Sequence, residues 1–307
     1  LGLPQSGQAG NEGTGRRART LRGCAVPTSR AGVARIHNSF VHATRETESS
    51  SLLDAPYPVY DTDLLRQLIG RRLCAGLRVL AVIGGHRKPE ARLISRAFAG
   101  LEQISLSEPM PEPLTTLREI AARDQRIRVF PVAISDRDGV ARFNVTSNDG
   151  ESSSLLSFGT HGRLFPQVQV LRTLAVQTRR LDTLLDEHRL RAPDVLLIDV
   201  QGAEYQVLSA LPAPLLSQVR LIYAEASTEP VYDAAGLLPD IERLLSPRFV
   251  NLGFAPLSRN VPMPGTVVFV ARDDVAGALA LSPLGRLQTA WRHWRRRHLA
   301  RLPAEPS

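Results

Sequence analysis

Three acidic residues, Glu108, Asp136 and Asp199, each follow an apolar run that reads as a buried strand. In an open α/β sheet the carboxyl ends of the strands border the crevice in which ligands bind. Glu108 lies 24 residues beyond Gly84, where a carboxylate can accept hydrogen bonds from the two ribose hydroxyls of an adenosine-containing ligand. This placement leaves a nicotinamide cofactor and S-adenosylmethionine both open.

Short apolar runs alternate with helical stretches, and this predicts a doubly wound, mostly parallel Rossmann-like α/β sheet. The last two strands are close in sequence, as in an antiparallel hairpin at a sheet edge. The predicted strands are 77–83, 104–106, 127–134, 140–145, 195–200, 221–226, 249–255 and 266–271, and the predicted helices begin near Pro89 or span 113–122, 181–188, 203–211 and 238–245. The polar segment 146–162 is predicted to be a long loop or lid.

Gly84 and Gly85 follow the first predicted strand within the stretch GGHRK. This stretch lacks the G-x-G-x-x-G spacing of dinucleotide-binding loops, and a glycine pair after a strand is also a common turn. Arg87 and Lys88 could bind a phosphate, but the favoured interpretation is that both are solvated. The glycine signal alone is therefore weak.

Four segments carry a more specific pattern: AISDRDGVARF at 133–143, SSSLL at 152–156, TRRLDTLL at 178–185 and LLIDVQGAEYQVLSAL at 196–211. In this order and spacing they resemble the FkbM family of S-adenosylmethionine-dependent methyltransferases, over roughly residues 77–272. The resemblance implies a class I methyltransferase-like fold, S-adenosylmethionine as cofactor, and O-methylation of a sugar, polyketide or other secondary metabolite.

The resemblance also implies roles for individual residues. It assigns Gly84 and Gly85 to the cofactor loop, Glu108 to the ribose, Asp136 to the neighbourhood of the adenine, and Asp199 to the side nearest the transferable methyl group.

The chain departs from the family at three positions. Val82 stands where the family's first strand usually carries an acid, Lys88 stands in place of the loop's last glycine, and Gln201 replaces a common glutamate. Loss of the acid removes a partner for the methionine amino group, so these changes are expected to weaken cofactor binding.

Asp199 is the first candidate for orienting or deprotonating an acceptor hydroxyl, and Glu204 and Glu225 are weaker ones. Each also has a purely structural interpretation: Asp199 as a helix cap, Glu204 as a favourable charge in the first helical turn, and Glu225 as a hydrogen-bonded acid at a strand end. His86 and His161 are alternative bases, although loop histidines are more often solvent-exposed. No cluster has metal-ligand spacing, so no metal is inferred.

The favoured interpretation is an S-adenosylmethionine-dependent O-methyltransferase with a small, carbohydrate-like or polyketide-like acceptor. An inactive methyltransferase-fold interaction module is the alternative: the altered loop favours it, whereas acids at three strand ends argue against it. A nicotinamide-dependent oxidoreductase is a third interpretation, disfavoured by the glycine spacing.

The formal net charge of +8 comes from the chain ends, with seven arginines against three acids in 1–50 and six against one in 275–307. We therefore expect a disordered basic segment at 1–55, one domain at 56–274, and a basic amphipathic tail at 275–307 that packs on the domain or weakly contacts a membrane surface. No specific nucleic acid is expected. Cys24 and Cys74 offer no disulfide framework, and no apolar run has the length of a membrane span or signal, so a cytoplasmic location is expected.

Overall fold

The computed structural model describes residues 76–86, 100–256 and 264–275. Most of both predicted tails, the helix predicted near Pro89, and the side chains of Arg87 and Lys88 lie outside these residues. Within the described ranges, no helix combines the length and apolar character that crossing a membrane requires.

Ten strands and six helices make up the described part of the chain, together with a 3-10 turn at Arg272–Asp274. The strands are β1 Val79–Ile83, β2 Gln103–Ser107, β3 Ile127–Phe130, β4 Ala133–Ile134, β5 Gly139–Thr146, β6 Val170–Arg179, β7 Val195–Ile198, β8 Leu221–Ala226, β9 Phe249–Pro256 and β10 Gly265–Ala271. The helices are α1 Pro111–Ala121, α2 His161–Leu164, α3 Leu181–Glu187, α4 Glu204–Ser209, α5 Ala213–Leu216 and α6 Leu238–Leu245.

Seven strands form the main sheet, in the order β3-β2-β1-β7-β8-β10-β9. The five strands from β3 to β8 run parallel, whereas β10 is antiparallel to both β8 and β9. The order reverses between β1 and β7, which is the switch point at which an α/β sheet opens its ligand crevice. The predicted doubly wound sheet with an antiparallel edge hairpin is confirmed.

The central strands are continuous apolar runs because both faces of the sheet are covered. All five residues of β1 and all four of β7 are buried. One apolar core lies on the face covered by α3, α4, α5 and α6, and a second lies on the face covered by α1. This layered burial fixes the strand ends relative to one another.

A second sheet, in the order β4-β6-β5, stands beside the main one. The prediction of a single strand over 127–134 is wrong, because the chain divides at Pro131 and β4 pairs with β6 instead. Proline has no N–H to donate to a ladder, so the main-sheet pairing ends there. The antiparallel strand predicted at 140–145 is confirmed as part of β5, but its partner β6 was not predicted.

Candidate active site

The strand register brings the ends of β2, β1 and β7 to one edge of the main sheet. Ile83, the last residue of β1, is level with Ser107 on one side and Ile198 on the other. Glu108 and Asp199 each follow directly after these partners. Because neighbouring strands are about 4.8 Å apart, the two acids flank Gly84 with a backbone separation of about 10 Å.

The glycine turn after β1 is held by its neighbours through the backbone. The N–H groups of Gly84 and Gly85 both donate to the Ser107 carbonyl oxygen, at 3.1 and 3.0 Å. Gly84 has a φ of 83°, and a Cβ built there would lie 1.8 Å from the Asp199 carbonyl oxygen. Only glycine fits this position, because the turns after β1 and β7 approach too closely for any side chain.

Glu108 is buried, and its carboxylate is oriented by two backbone donors. His86 N–H donates to Oε2 at 2.7 Å, and Met110 N–H donates to Oε1 at 2.8 Å. A carboxylate whose two oxygens are oriented in this way can accept the hydrogen bonds that a ribose diol donates. This chemistry fits the ribose of S-adenosylmethionine, whereas β1 contributes only Val82 and Ile83 towards its amino group.

Asp199 belongs to a side-chain network that spans two strand ends. Gln201 Nε2 donates to Asp199 Oδ1 at 2.8 Å and also to Glu225 Oε2, which lies near the end of β8. The fold therefore brings Glu225, the weaker candidate of the sequence analysis, next to Asp199. Both side chains are half-buried.

Tyr232 joins this network to the segment predicted to be a lid. Its hydroxyl lies 2.9 Å from Gln201 Oε1 and 3.1 Å from the Ser152 carbonyl oxygen, so its single proton is shared between two acceptors. Burial raises the pKa of the Tyr232 hydroxyl well above its ordinary value, and the charge of Glu225 adds to the shift. Tyr232 is thus a neutral donor, and nothing in the local sequence singled it out.

Glu204 plays a structural part at the start of α4. Its Oε1 accepts hydrogen bonds from the N–H groups of Val200 and Gly202, at 3.0 and 3.3 Å. Burial raises the pKa of this carboxyl from 4.5 to about 7, against the opposing effect of the backbone donors. Glu204 thus closes the turn that carries Gln201.

One oxygen from each of Asp199, Glu204 and Glu225 lies within 4.8 Å of the others. The sequence analysis found no such grouping, because Glu225 comes from a different strand and spacing along the chain does not reveal it. Carboxylates at this separation are suited to a cation. The Gln201 amide nitrogen, however, already donates to two of the three.

Asp136 lies after β4, and hence beyond a strand of the second sheet rather than the main one. It pairs with Arg137 and accepts a hydrogen bond from the Ser135 hydroxyl. The Arg137 guanidinium lowers the pKa of the Asp136 carboxyl. The role of Asp136 beside the adenine stays a prediction.

The two candidate histidines differ. His86 is half-buried, with a φ of 38°, and its Nε2 lies 3.0 Å from the Asp149 carbonyl oxygen, which links the glycine turn to the segment 146–162. His161 is 3% exposed and stacks on Phe158 with ring centroids 3.9 Å apart. Burial lowers its pKa from 6.5 to about 4, so His161 is a neutral core residue and not the exposed loop histidine considered above.

A groove of about 600 Å³ lies against β3, the edge strand of the main sheet. Its lining includes Arg128 and Arg179, but none of the candidate site residues. Arg128 donates to the His188 carbonyl oxygen, and Arg179 pairs with Glu187. Because these charges are already engaged, the ends of β2, β1 and β7 remain the better candidate site.

Residues 99–255 match the model of the methyltransferase FkbM domain, which is half of the chain. The chain is also similar to the 2-O-methyltransferase NoeI of Sinorhizobium fredii, with 34% identity over 143 residues. This match covers 45% of the chain and 58% of that protein, so the chain spans little more than half the length of its curated relative.

Two solved structures show a low level of similarity to the chain. The methyltransferase FkbM of Methylobacillus flagellatus has 15% identity and a TM-score of 0.44, over 63% of this chain and 43% of its own. Aeropyrum pernix fibrillarin, solved with bound S-adenosyl-L-methionine, has 14% identity and a TM-score of 0.39, over 67% and 72%. Similarity this low carries no information on function. The matched domain model, which covers half of the chain, shows that this chain belongs to the FkbM methyltransferase family.

Proposed function

We propose that this chain is an S-adenosylmethionine-dependent O-methyltransferase whose acceptor is a hydroxyl group of a small, carbohydrate-like molecule. The observation that supports it most is the placement of Glu108 and Asp199 on either side of Gly84. In a chain of this family, that edge offers one acid to a cofactor and another to an acceptor. A cytoplasmic location stays a prediction.

On the cofactor side, Glu108 would hold the ribose. The two backbone donors fix the direction of its carboxylate before any ligand arrives, which lowers the entropy cost of binding. Gly84 and Gly85 would let the backbone pass close to the ligand. The methionine end lacks the acid that the family usually places on the first strand, so Glu108 is expected to supply a large share of the affinity.

On the acceptor side, Asp199 is the proposed base. When bound, S-adenosylmethionine supplies the methyl group, and its transfer to a hydroxyl releases one proton. A carboxylate beside the acceptor can orient the hydroxyl and take up that proton. Orientation is the larger contribution, because a correctly aligned pair of reactants avoids most of the entropy cost of the encounter.

The similarity to the Sinorhizobium fredii protein favours an oxygen atom as the acceptor of the methyl group. The Sinorhizobium fredii protein is named as a 2-O-methyltransferase. The acid-rich acceptor edge suits a hydroxyl, because carboxylates accept the hydrogen bonds that hydroxyls donate.

The second candidate function is a methyltransferase-fold module that does not bind the cofactor. The absence of an acid at the end of β1 favours it, since Val82 and Ile83 are both buried and apolar. The orientation of Glu108 and the network around Asp199 favour the enzyme. Cofactor binding separates the two.

The test is calorimetric titration of the purified chain with S-adenosylhomocysteine, the product, which requires no knowledge of the acceptor. Glu108→Gln replaces one acceptor oxygen by an amide nitrogen that faces a backbone N–H. We expect it to weaken binding by about 1 to 3 kcal/mol. The matched control is Glu102→Gln at the opposite end of β2, where the exposed carboxylate pairs with Arg78 and Arg191.

Micromolar binding that falls in Glu108→Gln and persists in Glu102→Gln supports the proposed function. Absence of binding at millimolar ligand overturns it in favour of the non-catalytic module. Equal affinity in wild type and both variants shows that the ribose is held elsewhere.

A further inference from the structure

Gln201 connects the two carboxylates of the acceptor edge. Its Nε2 carries two hydrogens and lies within hydrogen-bonding distance of Asp199 Oδ1 and Glu225 Oε2. An amide nitrogen only donates, whereas an ionised carboxylate only accepts. One side chain therefore satisfies both acids at once.

The orientation of this amide is set from its other end. The Tyr232 hydroxyl lies 2.9 Å from Gln201 Oε1, where it can donate its proton. Tyr232 is itself fixed by burial and by ring contacts with Phe158 and His161. A rotated amide would turn its oxygen towards two carboxylates, which only accept hydrogen bonds, so the observed orientation is the favourable one.

The backbone at Gln201 is equally constrained. Its φ is 55°, which is uncommon for a residue with a side chain, and the next residue, Gly202, has a φ of 98°. A Cβ at Gly202 would come within 2.7 Å of the Tyr232 ring, and the Ser154 hydroxyl donates to the Gln201 carbonyl oxygen at 2.7 Å. The turn and its contact with Ser154 thus aim the Gln201 side chain at the two acids.

Electrostatics explains what that side chain does. Two carboxylates this close repel each other, and repulsion raises the pH at which one of them loses its proton. A donor between them offsets the repulsion without adding charge. We propose that Gln201 is a positioning residue whose amide holds Asp199 and Glu225 side by side as an ionised pair, ready to accept hydrogen bonds from the acceptor.

This inference rests on the proposed function, because Asp199 is the proposed base, but it is tested without turnover. Among the residues that the structure describes, Glu204, on the same turn, and Tyr232, across from it, are titratable groups close to the pair. Glu204 is bound to the N–H groups of Val200 and Gly202, and Tyr232 stays neutral in the range of interest.

The experiment is a carbon-13 NMR pH titration of the labelled side-chain carboxyl groups, with Asp199→Asn and Glu225→Gln assigning the two resonances. Gln201→Leu removes the donor, and Gln201→Glu replaces it with a third acceptor. In both we expect a carboxyl of the pair to titrate about one pH unit or more higher than in wild type. Gln218→Glu adds an exposed charge elsewhere and is expected to leave both midpoints unchanged.

Identical midpoints in wild type, Gln201→Leu and Gln201→Glu would overturn the proposal. The isosteric Gln201→Glu keeps the test usable if the leucine variant fails to fold. The same samples are also titrated with S-adenosylhomocysteine. If the wild type does not bind this ligand, the proposed function is rejected, but the titration midpoints of the two carboxyl groups still test the role of Gln201.

A second readout uses Mn²⁺ alone as a probe. In wild type the amide lies where a cation would bind, so we expect no selective broadening of the Asp199 and Glu225 resonances. In Gln201→Glu we expect selective broadening that EDTA reverses, since a third carboxylate replaces the amide. Equal broadening in wild type would show that a cation displaces the amide, and would contradict the proposed role.

Discussion

The two sides of the candidate site are built differently. On the cofactor side the contacts are made mainly by the backbone. Backbone N–H groups orient the Glu108 carboxylate, and the close approach of two turns requires glycine at position 84. On the acceptor side, side chains bond to side chains, as Gln201 does with Asp199, Glu225 and Tyr232.

The two sides are therefore expected to tolerate amino-acid substitutions differently. A backbone-built site fails when a turn shifts, so substitutions there are expected to disturb fold and binding together. A side-chain network can lose or exchange a member while the strands beneath it stay buried, so substitutions there are expected to change protonation and chemistry first. The following predictions test this contrast.

The largest effect on stability is expected for Gly84→Ala, because Gly84 lies between the cofactor side and the acceptor side. The new Cβ would lie 1.8 Å from the Asp199 carbonyl oxygen, at a φ of 83°. We expect a loss of more than about 3 kcal/mol in the free energy of unfolding, measured in urea. Gly162→Ala is the matched control, because its Cβ would meet nothing within 4 Å, and it should stay within about 1 kcal/mol of wild type. Equal stability of the two variants would contradict the close packing of the turns.

A smaller, pH-dependent effect on the free energy of unfolding is expected for Glu204→Gln on the acceptor side. The folded chain raises the pKa of Glu204 from 4.5 to about 7, so the folded form binds the proton more tightly than the unfolded form. Stability is therefore lost as the pH rises through that window, by on the order of 3 kcal/mol at most. In the variant, the side-chain oxygen at position 204 can still accept hydrogen bonds from the N–H groups of Val200 and Gly202. The turn that carries Gln201 is therefore expected to be kept.

Urea unfolding of wild type and Glu204→Gln at pH 5 and pH 8 checks this prediction. The variant should be the more stable of the two at pH 8, and its advantage should shrink towards pH 5. An advantage of the same size at both pH values would show that burial of the charge is not its cause.

The segment 146–162 contains a group with the opposite pH dependence, His161. Its pKa is lowered from 6.5 to about 4, so the unfolded chain takes up the proton first. Stability is lost as the pH falls from 6.5 towards 4, by about 2 kcal/mol at pH 5. His161→Phe keeps an aromatic ring against Phe158, lacks the buried Nδ1 that has no hydrogen-bond partner, and should lose that pH dependence in thermal unfolding. A variant that destabilises in parallel with wild type below pH 6.5 would contradict this.

The sequence predicted the central sheet well because periodicity reports burial directly. β8 and α6 have the predicted bounds, and β1 and β7 lie within theirs. β6 was missed because most of its residues are exposed and it shows no clean alternation. The division at Pro131 depends on which strand finds a partner, and a local pattern does not contain that information.

The residues of the candidate site were likewise predicted only in part. Glu108 and Asp199 were found because strand ends share an edge, which is a rule of the fold. Gln201 was noted only as a departure from the family, and Tyr232 was not noted at all. Their contact directly joins two side chains 31 positions apart, so it depends on packing that no spacing along the chain encodes.

The decisive measurement is amide hydrogen exchange of the chain with and without S-adenosylhomocysteine. Binding at the proposed site should slow exchange in peptides that contain Gly84–His86, 107–110 and 199–202, and leave the groove against β3 unchanged. Slowed exchange confined to 128–132, or no change at the strand ends under saturating ligand, would contradict a cofactor site built on Gly84 and Glu108.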